Sequence, residues 1–148
     1  MLPLLSICAL AGCLPPDAPP ARPAVDPDTA AFHDWKITGH VLGGDALISE
    51  LDAAGFHGRA VVVAPERYSS PWSGGCDDPR RRRAPSTLAE VAKRYKLDAG
   101  ALQLAEPITE LQLSCGADGT SQVPPLALYV AGGRAATCWS GVCYLLAP

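Results

Sequence analysis

The stretch Cys138-Trp139-Ser140-Gly141-Val142-Cys143 constrains the fold of this chain more than any other. Ser and Gly are turn formers, and the residues on either side, 136–139 and 142–146, are mostly apolar. A two-residue turn at Ser140-Gly141 sets Trp139 opposite Val142. Cys138 then faces Cys143, on the other side of the hairpin from that pair. Directly opposed residues at a non-hydrogen-bonded position approach closely enough for a disulfide. The expected element is a short antiparallel hairpin with its own bridge.

Patterning extends this reading through residues 29–148. Trp35, Ile37, Gly39 and Val41 alternate with polar or less apolar neighbours over 32–41, which predicts a half-buried strand. Asp45 is placed to cap a short helix through Leu47, Ile48 and Leu51, stopped by Gly55. Residues 59–64, with three consecutive valines, predict a buried strand. Residues 69–86 are dense in Ser, Gly and Pro and read as loop.

The clearest helix follows. Thr87 and Glu90 form a capping box, and Leu88, Val91, Ala92 and Tyr95 fall on one face. Thr109, Leu111, Leu113 and Cys115 alternate with Glu110, Gln112 and Ser114 as in a strand, and 126–130 read as another. The sum is five or six strands and two short helices. The expected class is α+β, mainly antiparallel β, built as a small barrel or strongly curved sheet.

The chain has 148 residues, 48% of them hydrophobic, which suits one domain of ordinary size. Its net charge of -3 lacks the basic footprint of a nucleic-acid binder. No apolar run reaches the 18 residues that a membrane-spanning helix needs.

Residues 1–12 are apolar and uncharged, like the core of an export signal. Leu10-Ala11-Gly12-Cys13 follows, and it resembles the lipobox of bacterial lipoproteins at every position. The resemblance implies cleavage before Cys13, with a diacylglycerol on its thiol and an acylated amine. Two or more acyl chains anchor a protein stably where one is marginal. Leu14 stands where that family's inner-membrane retention signal has Asp, which points to the outer membrane of a Gram-negative cell, facing the periplasm. Residues 15–28 contain six prolines. At roughly 3.1 Å per residue, a polyproline II spacer of that length holds the domain about 40 Å from the bilayer.

Of six cysteines, Cys8 leaves with the signal and Cys13 carries lipid, so four remain. An even number in an exported domain implies disulfides, with three possible pairings. The hairpin geometry selects Cys138–Cys143, and Cys76 then pairs with Cys115.

Little in the chain announces chemistry. There is no CxxC and no His within five residues of a Cys, so no metal site is expected. Nucleophile-elbow and phosphate-loop motifs are missing too. His33, His40 and His57 follow no period that gathers them. The string Trp-Ser-Gly occurs twice, at 72–74 and 139–141, in both cases where a turn is expected. No catalytic residue and no cofactor is assigned. The densest charge feature is Arg80, Arg81, Arg82 and Arg83, joined by Lys93, Arg94 and Lys96. It is a candidate contact for an anionic partner, set against the plainer reading of a solvated loop.

Two resemblances concern the folded part. Trp35-x-Ile37, Ile48-Ser49-x-Leu51 before Gly58-Arg59, Cys76-x-x-Pro79, a helix then Cys115, and Trp139-Ser140-Gly141-Val142-x-Tyr144-x-Leu146 occur in order. This is similar to small, mostly uncharacterised envelope proteins with a lipocalin-like (calycin) barrel. The resemblance implies a bridge between Cys76 and Cys115 and a final strand that closes the sheet. The segment 87–95 with Leu102 and Glu106-Pro107 resembles the first half of a LysM peptidoglycan-binding repeat. Glu106 stands where that family has Asn, no Gly-Asp precedes Thr87, no strand is expected in the Arg run before the helix, and the family's closing Gly-Gln-x-Leu strand is missing. The expected function is a membrane-anchored, non-enzymatic envelope module that binds a small ligand or a protein, an inhibitor-like role being one version of it. The alternatives are a LysM-like peptidoglycan binder and an enzyme of unassigned class. A barrel with an open apolar cavity favours a carrier, and a filled one favours protein contact.

Overall fold

A computed structural model describes residues 24–116 and 121–148. The signal segment 1–12, Cys13 and the tether as far as residue 23 lie outside the described residues. The elements are β1 (His33–Leu42), α1 (Glu50–Ala54), β2 (Ala60–Ala64), β3 (Arg67–Ser70), β4 (Gly74–Asp77), β5 (Arg80–Ser86), α2 (Leu88–Tyr95), β6 (Ile108–Ser114), β7 (Leu126–Ala131), β8 (Arg134–Trp139) and β9 (Val142–Ala147). Single turns of 3-10 helix stand at Thr29–Ala31 and Ala99–Leu102.

All nine strands belong to one antiparallel sheet in the order β4-β3-β2-β1-β9-β8-β7-β6-β5. The sheet is a strongly curled half-barrel. Its two edges, β4 and β5, are joined in sequence by only Asp78 and Pro79, so the curl must bring opposite ends of the sheet together. Cys76 on β4 bridges to Cys115 at the end of β6, with Cα atoms 5.9 Å apart. This disulfide staples one edge to the strand next to the other. The Tyr68 hydroxyl adds a second tie across the seam by donating to the Pro124 carbonyl at 3.2 Å.

Two apolar layers result. Inside the curl pack Trp35, Ile37, Val61, Val63, Tyr68, Leu111, Leu113, Leu126, Leu128, Val142, Tyr144 and Leu146. Outside, α2 and the segment after it cover β7 to β9, with Val91, Leu102, Leu104 and Ile108 against Tyr129, Ala131, Ala136 and Cys143. β7 is therefore buried on both faces, which explains its unbroken apolar run. The Trp35 indole donates to the Ala31 carbonyl at 2.9 Å and ties the first 3-10 turn to the inner core.

The final hairpin has the expected register, with Cys138 opposite Cys143 and Trp139 opposite Val142. Its bridge forms with Cα atoms 4.0 Å apart. The capping box at Thr87 and Glu90 is present. Three expectations need correction. There are nine strands among the described residues, not five or six. Residues 69–86 are not a loop, since they hold the end of β3, all of β4 and all of β5. Gly75 pairs with Ser69 on β4 and must be glycine, because a Cβ there would overlap the Tyr68 carbonyl. Arg80 to Arg83 form an edge strand, where charge and proline guard against further pairing. The cap of α1 is Ser49, whose hydroxyl accepts from the Asp52 amide at 3.1 Å; Asp45 instead pairs with Lys96 at 2.8 Å.

Candidate functional site

The end of the half-barrel where β1 finishes carries the most organised constellation. The two Trp-Ser-Gly strings meet there. Trp72 and Trp139 stack with centroids 5.7 Å apart, and Trp72 stacks on Tyr144 at 4.8 Å. Phe56 presents its edge to all three rings at 5.7 to 6.1 Å. Aromatic pairs prefer such arrangements to face-to-face sandwiches. These rings form a floor under the β1–β2 connection, residues 43–59.

That connection is pinned along its backbone. The Gly43 amide donates to the Gly141 carbonyl at 2.8 Å, Gly44 to Lys96 at 2.9 Å and Leu47 to Ser140 at 2.9 Å. Gly141 has φ +76, and a Cβ there would meet the Ala46 Cα at 2.7 Å. Ala46 and Ile48 point down onto the core. Period-two alternation then turns Leu47 outward, and it is 83% exposed. In α1, Ala53 is buried and Leu51 is 82% exposed.

Beside this end runs an open groove of 620 Å³, lined among others by His40, Glu50, His57, Gln103 and Arg134. His40 and His57 are not scattered: His40 Nδ1 lies 2.8 Å from His57 Nε2, so one ring donates to the other. His40 Nε2 is 2.8 Å from Glu50 Oε1, although the carboxylate sits out of line for a hydrogen bond. No local pattern announces this grouping, because Glu50 and His57 reach β1 only through the fold of the 43–59 connection. Only the two imidazoles are hydrogen-bonded to one another, and the Thr38 hydroxyl in the same groove is donated to the Leu145 carbonyl. Among the described residues no three His, Cys, Asp or Glu side chains converge as a metal site.

The arginine run is divided by its strand. Arg81 pairs with Asp26 and Asp28 at 3.0 and 3.2 Å, Arg83 contacts Asp28 at 3.7 Å, and Arg82 donates to Gln112 at 2.6 Å. Lys96 binds Asp45. Arg94 reaches the buried Glu110 through both carboxylate oxygens at 3.2 Å, and the Tyr129 hydroxyl at 2.7 Å. Burial pushes the Tyr129 hydroxyl well above its ordinary pKa. The Asp28 amide, and after it Arg81, hold the Asp26 carboxyl below its usual range. Arg81, Arg82, Arg83, Arg94 and Lys96 are thus engaged within the chain. Arg80 stands on β5 and Lys93 on α2.

Fold and site together define a half-barrel with a filled interior and a propped, apolar-tipped end. No family model, curated protein or solved structure matches the chain.

Proposed function

We propose that this chain is a lipid-anchored envelope protein, acylated at Cys13 and held by its Pro-rich tether at the outer membrane, whose domain works by contacting another protein. The lipocalin-like barrel belongs to the same reading, and the curled antiparallel sheet supports it. One observation carries the choice between carrier and contact module. The interior is occupied by the protein's own side chains: Trp35, Val61, Leu113, Leu128 and Tyr144 are each 0% exposed. A small barrel filled in this way has no room for an apolar ligand.

The test uses an environment-sensitive apolar dye, N-phenylnaphthylamine, titrated into the full chain. The reading expects no saturable fluorescence enhancement. Saturable uptake at micromolar dye would make the protein a carrier. Anchoring is tested separately by fractionation, where Cys13→Ala should move the protein out of the membrane pellet.

A second reading has its own support. β5 and β6 are antiparallel neighbours, Arg80 opposite Ser114 and Ser86 opposite Ile108, and they flank α2 and the 3-10 turn Ala99–Leu102. This strand–helix–turn–strand order is the feature that speaks for a peptidoglycan-binding module. Co-sedimentation with purified sacculi that survives moderate salt would favour this peptidoglycan reading.

A further inference from the structure

Four large apolar side chains are exposed among the described residues, and three of them, Leu42, Leu47 and Leu51, fall within ten consecutive positions. Single exposed leucines are ordinary; a cluster on one segment marks a contact site. The segment is also pre-organised, by the backbone bonds to Ser140, Gly141 and Lys96 and by the aromatic floor beneath it. Side chains presented by a held backbone lose less entropy on binding than those of a loose loop.

The charges around the leucines say what they meet. Asp45, Glu50 and Asp52 flank Leu47 and Leu51 along the chain; Lys96 pairs with Asp45, His40 Nε2 lies 2.8 Å from Glu50, and Asp52 accepts from the Ser49 hydroxyl, so the acidic residues keep the larger share of the charge here. Glu50 is 72% exposed. An anionic bilayer would repel this collar, and a second copy would set acid against acid. We infer that residues 42–52 form a protein-docking surface in which Leu47 and Leu51 enter an apolar cleft whose rim carries Lys or Arg side chains. This assignment rests on the protein-contact reading above and names its surface and partner chemistry.

The test uses the full chain carrying Cys13→Ala, so that acylation plays no part, and two fluorescent amphipathic helical peptides of 18 residues. One is built from Leu and Lys, the other from Leu and Glu. Anisotropy should show saturable binding of the Leu/Lys peptide, at least tenfold tighter than its acidic twin. The double variant Leu47→Asp/Leu51→Asp should lose at least tenfold, with its melting unchanged because both side chains are already in water. Glu50→Gln/Asp52→Asn should lose several-fold and flatten the salt dependence. Equal binding of the two peptides, or binding indifferent to Leu47 and Leu51, overturns the inference. So does Leu47-dependent binding to phosphatidylglycerol/phosphatidylethanolamine vesicles, which would make the occupant lipid. Leu47-dependent self-association in sedimentation velocity would overturn it in favour of a second copy. Dye uptake by the interior removes the protein-contact reading itself, whereas dye exclusion with peptide failure removes only this surface.

Discussion

Breaking the Cys76–Cys115 bridge should cost about twice as much stability as breaking Cys138–Cys143. In the chain-entropy description, a crosslink removes about 2.1 + 1.5R ln n cal/mol/K from the unfolded chain. The sequence separation is 39 for the first bridge and 5 for the second. These separations give about 4 kcal/mol and about 2 kcal/mol at 25 °C. The structure gives the larger value a further reason: this bridge staples edge strand β4 to the end of β6, whereas Cys138 and Cys143 already face each other across a hydrogen-bonded hairpin. The perturbation is Cys76→Ala/Cys115→Ala, compared with Cys138→Ala/Cys143→Ala. The assay is urea unfolding followed by Trp fluorescence, with linear extrapolation for both variants. The 76/115 variant should also become more susceptible to proteolysis around β4 and β5. A loss under about 1 kcal/mol for this variant, or a larger loss for the hairpin variant, would refute the argument that the seam is held by its bridge.

Other consequences follow from single contacts. Glu110→Ala should destabilise by about 1–3 kcal/mol, because the Arg94 guanidinium and the Gln112 amide lose their carboxylate acceptor beside α2; thermal unfolding reads this, and Arg82→Ala, at an exposed site, should cost far less. Gly141→Ala should cost more than 1 kcal/mol, since φ is +76 and the added Cβ meets the backbone of Ala46; a neutral result in chemical unfolding would show that the 43–47 backbone yields. Alkaline stability should fall as pH rises from 10 through about 12. Burial pushes the Tyr144 hydroxyl up to about 12 and raises Tyr68 and Tyr129 as well. The native state then holds protons that the unfolded chain has released, so the contribution is complete below pH 10 and lost through the folded pKa. At the acid end, Asp26 is held below its ordinary range. Its contribution is present above the unfolded carboxylate pKa and lost as pH falls through the folded one, so cleavage near residues 24–28 should rise in acid.

The hairpin at 134–147 was legible because its logic is local: a two-residue turn fixes the register, and register fixes which cysteines face each other. Helix α2 was legible for the same reason, through Thr87 and Glu90. The edge strands were not. Gly74-Gly75 reads as loop until the Tyr68 carbonyl lies beside it, and four consecutive arginines hide a period of two that only Asp26, Asp28 and Gln112 reveal. The aromatic floor left one trace in sequence, the repeated Trp-Ser-Gly. Its meaning depended on curling β3–β4 against β8–β9, which no local pattern encodes. His40 and His57, 17 residues apart, meet only because α1 folds the chain back onto β1.

The filled half-barrel is proposed to work through the end bearing Leu47. A photoreactive amino acid at position 47 of the full chain, irradiated in intact cells, tests this most directly. Position 66, on the β2–β3 turn at the other end of the sheet, serves as the control. The account predicts a discrete protein adduct from position 47 that disappears with Leu51→Asp, and none from position 66. Adducts to lipid alone, or the same adducts from both positions, would contradict it.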